Sequence, residues 1–235
     1  LSEAQAFLEA MNQAMAQTLI YGNSSVDPEK FSGLAIRYSS LSAGNATNII
    51  DAGGSGSDNT SIWLVVSGPN TFHGIFPKGS KAGLQHENLG LIDAFDANGN
   101  RYRAYADHWQ WKVGIVVKDW RYVVRICNVD VSDLVGQPGT QANTASTHIH
   151  KQMLKAMARI PQMGMGTAAF YANRTVKEMI SISALDRSSS AVKIEEAVNQ
   201  FGNVSPGSVG NGVVKFFGVP VRTVDQILST EARVT

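Results

Sequence analysis

Cysteine is nearly absent. Cys127 stands alone in 235 residues, so there is no internal disulfide and no thiolate cluster for zinc or an iron–sulfur group. No uninterrupted run of about twenty apolar residues is present to span a bilayer as a helix, and no basic-then-apolar leader opens the chain. Neither sign of charge dominates: twenty basic residues face nineteen acidic ones, a formal charge of +1. The basic stripe of a protein that grips nucleic acid by neutralising phosphates is therefore missing. What is present suits folding, because a chain that is 43% hydrophobic and 17% charged is too apolar and too weakly charged for disorder. Its length accommodates one or two domains. The numbering opens on Leu1 and a helix begins at once, so an upstream segment is expected.

Residues 2–21 read as the clearest helix. Ser2 is placed to cap it with Gln5 three residues on, and Gly22 offers a left-handed stop. Phe7, Leu8, Met11, Ala14, Met15 and Leu19 recur at helical spacing as one packing face. Turn chemistry at 23–28 and a short ordered connection lead to the GGSGSDN tract, which reads as a mobile loop. Strands are predicted at 62–67, 72–76 and 91–95, with a hairpin turn through Asn98-Gly99 and a new strand from Arg101. Between Trp109 and Val131 the density of Val, Ile, Trp and Tyr predicts two extended strands meeting near Lys118-Asp119. A loop at 135–145 precedes a second amphipathic helix bearing Ile149, Met153, Leu154, Met157 and Ile160, ended by Pro161. A strand at 168–171 runs into Asn173, a cap for a helix with Val176, Met179 and Ile180. Residues 191–201 fit either strand or helix, 203–212 read as a loop, and 213–224 as a strand pair bent at Gly218 or Pro220. The fold class is α+β, with helices set apart from antiparallel sheet.

No reactive constellation emerges. His148 and His150 are two positions apart near a helix start, so they point away from each other and read as solvated. His73, His86 and His108 are isolated. The segment 93–100 lacks the glycine offset and the closing acid of a calcium loop, and Lys78-Gly79-Ser80-Lys81 lacks the order of a phosphate cradle. Asp107, Asp119 and Asp130 are too scattered in sequence to be paired as acid and base. No catalytic, cofactor-binding or metal-ligating residue is nominated, and no cofactor. Trp109 with Trp111, and Trp120 with Tyr122, share strand faces and read as core.

An ordered series of segments carries a family likeness: PEKFSGL at 28–34, Arg37-Tyr38, NIIDAGG at 48–54 and DNTSIW at 58–63. It continues through GIFPKGSKAGL at 74–84, DWRYVVRI at 119–126 with Asn128 and Asp130, YANRT at 171–175, GVPVR at 218–222 and TEARV at 230–234. The chain resembles the major capsid proteins of tailed double-stranded-DNA bacteriophages. The likeness implies the Hong Kong 97-like capsid fold and no enzymatic activity. Residues 1–134 would be mainly a peripheral domain, with its spine helix at 2–21 and long strands at 109–131. Residues 135–221 would be mainly an axial domain and 222–235 a return segment. The family's N-terminal arm and extended loop, normally ahead of the spine helix, are not expected in this chain. Implied partners are other copies of itself in pentamers and hexamers, scaffolding, decoration and portal proteins, and packaged DNA by weak contact at patches such as Lys78 and Lys81. No membrane is implied. The place of action would be the virion, with host cytoplasm during assembly. The loops at 52–59, 136–145 and 203–212 would adapt between five-fold and six-fold surroundings. Two other functions fit the same residues: a hydrolase whose site assembles only in three dimensions, and a cellular nanocompartment shell protein.

Overall fold

The computed structural model describes residues 2–135, 149–185, 192–195 and 213–235. In chain order they form α1 (Ser2–Tyr21), α2 (Leu34–Arg37), β1 (Ile49–Asp51), β2 (Asn59–Ser67), β3 (Phe72–Ile75), β4 (Leu84–Phe95), β5 (Arg101–Trp111), β6 (Gly114–Val117), β7 (Val123–Asp130) and α3 (Val131–Val135). There follow α4 (Ile149–Arg159), β8 (Thr167–Ala172), α5 (Arg174–Leu185), β9 (Val192–Glu195), β10 (Val213–Phe216) and β11 (Val219–Thr223). The chain is mixed α+β and divides into two compact units, residues 1–73 with 117–235, and residues 74–116. The loops predicted at 136–145 and 203–212, and His148, lie outside the described residues.

The larger unit is built on a sheet of order β1-β7-β2-β8-β11-β10-β9. The expectation of a purely antiparallel sheet is corrected. β2 runs antiparallel to both β7 and β8, but β1 joins β7 and β11 joins β8 in parallel. Long connections between those partners allow it, since parallel pairing needs a crossover of a dozen residues or more. In β2 every residue from Asn59 to Val66 is buried, and β7 is buried from Val123 to Val129. Both faces of these two strands are therefore interior. On one side Ile62, Leu64 and Val66, with Val124, Ile126 and Phe170, pack against Met153 and Ala156 of α4 and Val176 and Ile180 of α5. On the other side Trp63 meets Tyr38 edge-on, with ring centroids 6.0 Å apart. The segment after β11 fastens onto the sheet through Glu231 N–H donating to Asn59 C=O at 2.8 Å. Buried Asn128 accepts from Val234 N–H at 2.8 Å and donates to Val234 C=O at 2.9 Å.

Several local expectations change. Gly22 does not adopt a left-handed angle; glycine is required there because a side chain would collide with the backbone carbonyls of Phe31 and Thr18. The apolar face of α1 is only partly covered, from exposed Phe7 to buried Ile20. The GGSGSDN tract is anchored: Gly54 donates to Asn128 C=O at 2.8 Å, and Asn59 already belongs to β2. The predicted pair of long strands across 109–131 is broken into the end of β5, the short β6, a 3-10 turn at Trp120–Tyr122, and β7. Asp119 starts that turn by accepting from Arg121 N–H at 3.0 Å. Tyr122 is buried, but Trp120 is 41% exposed and is not core.

Candidate interaction surface

The smaller unit is dominated by a two-stranded antiparallel ribbon, β4 against β5. Its turn follows the expected chemistry: Asp96 Oδ1 accepts from Asn98 N–H at 2.9 Å and Asn100 N–H at 2.7 Å, and Gly99 supplies φ +85°. The register pairs Phe95 with Arg101, Leu91 with Tyr105, His86 with Trp109 and Leu84 with Trp111. One irregularity falls between Asn88 and Gly90, and Gly90 adopts φ +71°. This is a bulge, which inserts Leu89 and keeps the pleat in phase on both sides. One face therefore carries Leu84, His86, Leu91 and Phe95 with Tyr105, Trp109 and Trp111.

That face is not sealed. Tyr105 is 83% exposed, Phe95 66% and Leu91 54%. Opposite it lie Ile92, Ala94, Ala104 and Tyr102, with Ile92 and Tyr102 also exposed. Each ribbon strand has one pairing partner among the described residues, so the outer edges keep free N–H and C=O groups. Such edges and exposed large apolar side chains mark a surface that another chain covers. Polar contacts set the ribbon's geometry. His86 contacts Asp107 at 2.9 Å and stacks on Trp109 with centroids 3.9 Å apart, while Asp93 pairs with Arg101.

The sequence missed half of β4, because Gln85-His86-Glu87-Asn88 shows no apolar alternation. Counting outward from the Asn98-Gly99 turn to the tryptophans of β5 would have found it. Lys78 and Lys81 sit exposed in the loop between β3 and β4. His150 is not solvated as expected: it stacks on Phe216 at 6.1 Å, and burial pushes its imidazole pKa down. Asp107, Asp119 and Asp130 have separate partners, in His86, Arg121 and Ser132. Among the described residues no group of three or more His, Cys, Asp or Glu side chains is arranged to hold a metal ion, and no helix is long and apolar enough to cross a membrane.

The larger unit holds a buried charged centre. Arg125 pairs with Glu231 at 2.9 Å, both at most 5% exposed at the side chain. The same guanidinium donates to Ser61 Oγ at 3.0 Å and Tyr38 C=O at 2.8 Å, and lies 5.1 Å from the Trp63 ring centroid. Glu231 also accepts from the Tyr21 and Ser61 hydroxyls. Burial, then the Glu231 charge, pushes the Tyr21 phenol far above its ordinary range. Arg125, Glu231, Ser61 and Tyr21 are bonded to one another there, so the centre joins α1, β2, β7 and the C-terminal segment.

A family model for the major capsid protein GP7 matches residues 1–235. No significant match is found among curated proteins. A surface built for contact and a core whose charges are all committed agree with that match. The chain belongs to the major capsid protein GP7 family and is a structural protein of the bacteriophage capsid.

Proposed function

We propose that copies of this chain close into an icosahedral shell of the Hong Kong 97 type around double-stranded DNA, and that the β4–β5 ribbon is one patch by which a copy holds its neighbour. The observation behind the ribbon's role is the uncovered face of Leu91, Phe95 and Tyr105 on a strand pair with free edges. A lone two-stranded ribbon is marginal in water, so one this apolar gains most when a neighbour covers it. The subunit's work is geometric: non-identical, complementary patches form heterologous contacts that curve and close in pentamers and hexamers. It makes and breaks no bonds of its own. Residues 1–134 serve as the peripheral domain, 135–221 as the axial domain and 222–235 as the return segment. Scaffolding, decoration and portal proteins complete the particle, assembly takes place in host cytoplasm, and Lys78 and Lys81 meet phosphates weakly. No observation favours a hydrolase or a nanocompartment.

Electron microscopy of the purified full-length protein tests this reading. Closed polyhedral particles are expected from the natural sequence, and the double variant Leu91→Asp, Tyr105→Asp should stay as soluble subunits with an unchanged circular dichroism spectrum. Normal particles from that variant would remove the ribbon from the contact, and the absence of particles from the natural chain would remove the shell geometry.

A further inference from the structure

The two edges of the β4–β5 ribbon are unequal. The edge of β4 is interrupted, because the bulge at Leu89 and the φ of +71° at Gly90 break its line of backbone groups, a device that blunts pairing. β5 runs without a break from Arg101 to Trp111. Asp96 N–H donates to Asn100 C=O at 3.0 Å, so the next facing pair, Phe95 with Arg101, is a non-hydrogen-bonded one. The backbone groups of Arg101 therefore point away from β4. Every second residue along β5 repeats that direction: Arg103, Tyr105, Asp107 and Trp109.

The sequence of that edge is complementary to itself. Laid antiparallel across a two-fold axis at Tyr105, Arg103 of one copy falls opposite Asp107 of the other, Arg101 opposite Trp109, and Tyr105 opposite Tyr105. All of these are outward-facing positions, so the two backbones can bond in this register. Opposite charges and aromatic pairs across strands are favourable, and Arg101 beside Trp109 adds a cation–π contact. The charges are available. Asp107 meets His86 through Oδ1, and Arg103, 74% exposed at the side chain, reaches Asp93 only at 3.9 Å. The neighbouring registers set Arg103 against Tyr105 or Trp109 instead, and the first of them leaves Asp107 to Arg101, which Asp93 already holds. Pairing would also merge the exposed apolar faces, with Leu91 and Phe95 of each copy flanking the two Tyr105 rings.

We infer that β5 pairs with β5 of a second copy across this two-fold axis, joining two ribbons into one continuous sheet. The contact is isologous, the same patch on both copies, and an icosahedral shell supplies two-fold axes for it. The inference rests on the reading of the ribbon as a contact between copies.

Oxidative cross-linking of assembled full-length particles tests it. In this register the two Tyr105 Cα atoms lie about 5.5 Å apart, within the disulfide reach of about 4.4–6.8 Å. Tyr105→Cys particles treated with diamide should give chains linked in pairs and no longer ladder. Leu91→Cys, whose two copies lie about 14 Å apart across the joined sheet, should give no linked chains, and neither should the natural sequence, whose Cys127 is buried. Unlinked chains in Tyr105→Cys particles overturn the pairing and leave the ribbon a contact of another kind. Normal particles from the Leu91→Asp, Tyr105→Asp chain overturn the contact and the pairing together. If Tyr105→Cys does not assemble, charge exchange decides: Arg103→Asp alone should lose particles, and adding Asp107→Arg should restore them. Particles unaffected by Arg103→Asp, or no recovery in the double variant, overturn the pairing.

Discussion

The sheet of the larger unit and the ribbon of the smaller one are both made of long strands, yet they treat their side chains in opposite ways. In β2 and β7 both faces are covered, by α4 and α5 on one side and by Tyr38 and the C-terminal segment on the other. In β4 and β5 large apolar residues stay exposed on both faces. The buried ion pair falls on the same side of this division. Arg125–Glu231 is shut away from water, whereas Asp93–Arg101 and His86–Asp107 stand at the surface, where such pairs contribute little. One region has its apolar area covered within the chain, and the other leaves its apolar area exposed.

The contrast breaks most sharply at the buried pair. Glu231→Ala leaves the Arg125 guanidinium uncompensated and should cost about 3–5 kcal/mol, read as a lower urea midpoint. Leu64→Ala, at a wholly buried position between two helices and the sheet, should cost about 2–5 kcal/mol by the same measurement. Alkali should also act on the larger unit. Burial raises the phenols of Tyr21 and Tyr38 and pushes the Cys127 thiol up to about 12. A raised folded pKa gives stability that is complete below the unfolded value and lost as pH climbs toward the folded one. Thermal midpoints should therefore hold up to about pH 9 and fall above it, and Cys127 should resist alkylation until the chain unfolds. At the small end, Tyr105→Asp in the ribbon should change subunit stability by no more than about 0.5 kcal/mol. A large loss there would mean that the ribbon is packed as the core is, and the comparison would fail.

The sequence displayed the regular parts of this fold well. Period-3.6 apolar spacing located α1, α4 and α5, and the Asn98-Gly99 turn located the ribbon's tip. It could not display what depends on distant chain. Arg125 alternates with Val124 and Ile126 as if it faced water, and only the return of Glu231, 106 residues away, makes that position interior. Trp120 looked like core because it sits among β-formers, but Asp119 bends the chain into a 3-10 turn and turns the indole outward. The interaction surface was half legible. The aromatic stripe of β5 could be read, while the polar start of β4 hid its partner.

The span between Arg125 and Glu231 also sets a schedule for synthesis. A ribosome delivers the guanidinium well before the carboxylate that will receive it, and until then that side of the sheet cannot be closed without stranding a charge. That side of the sheet is therefore closed only once the segment carrying Glu231 has docked against Arg125.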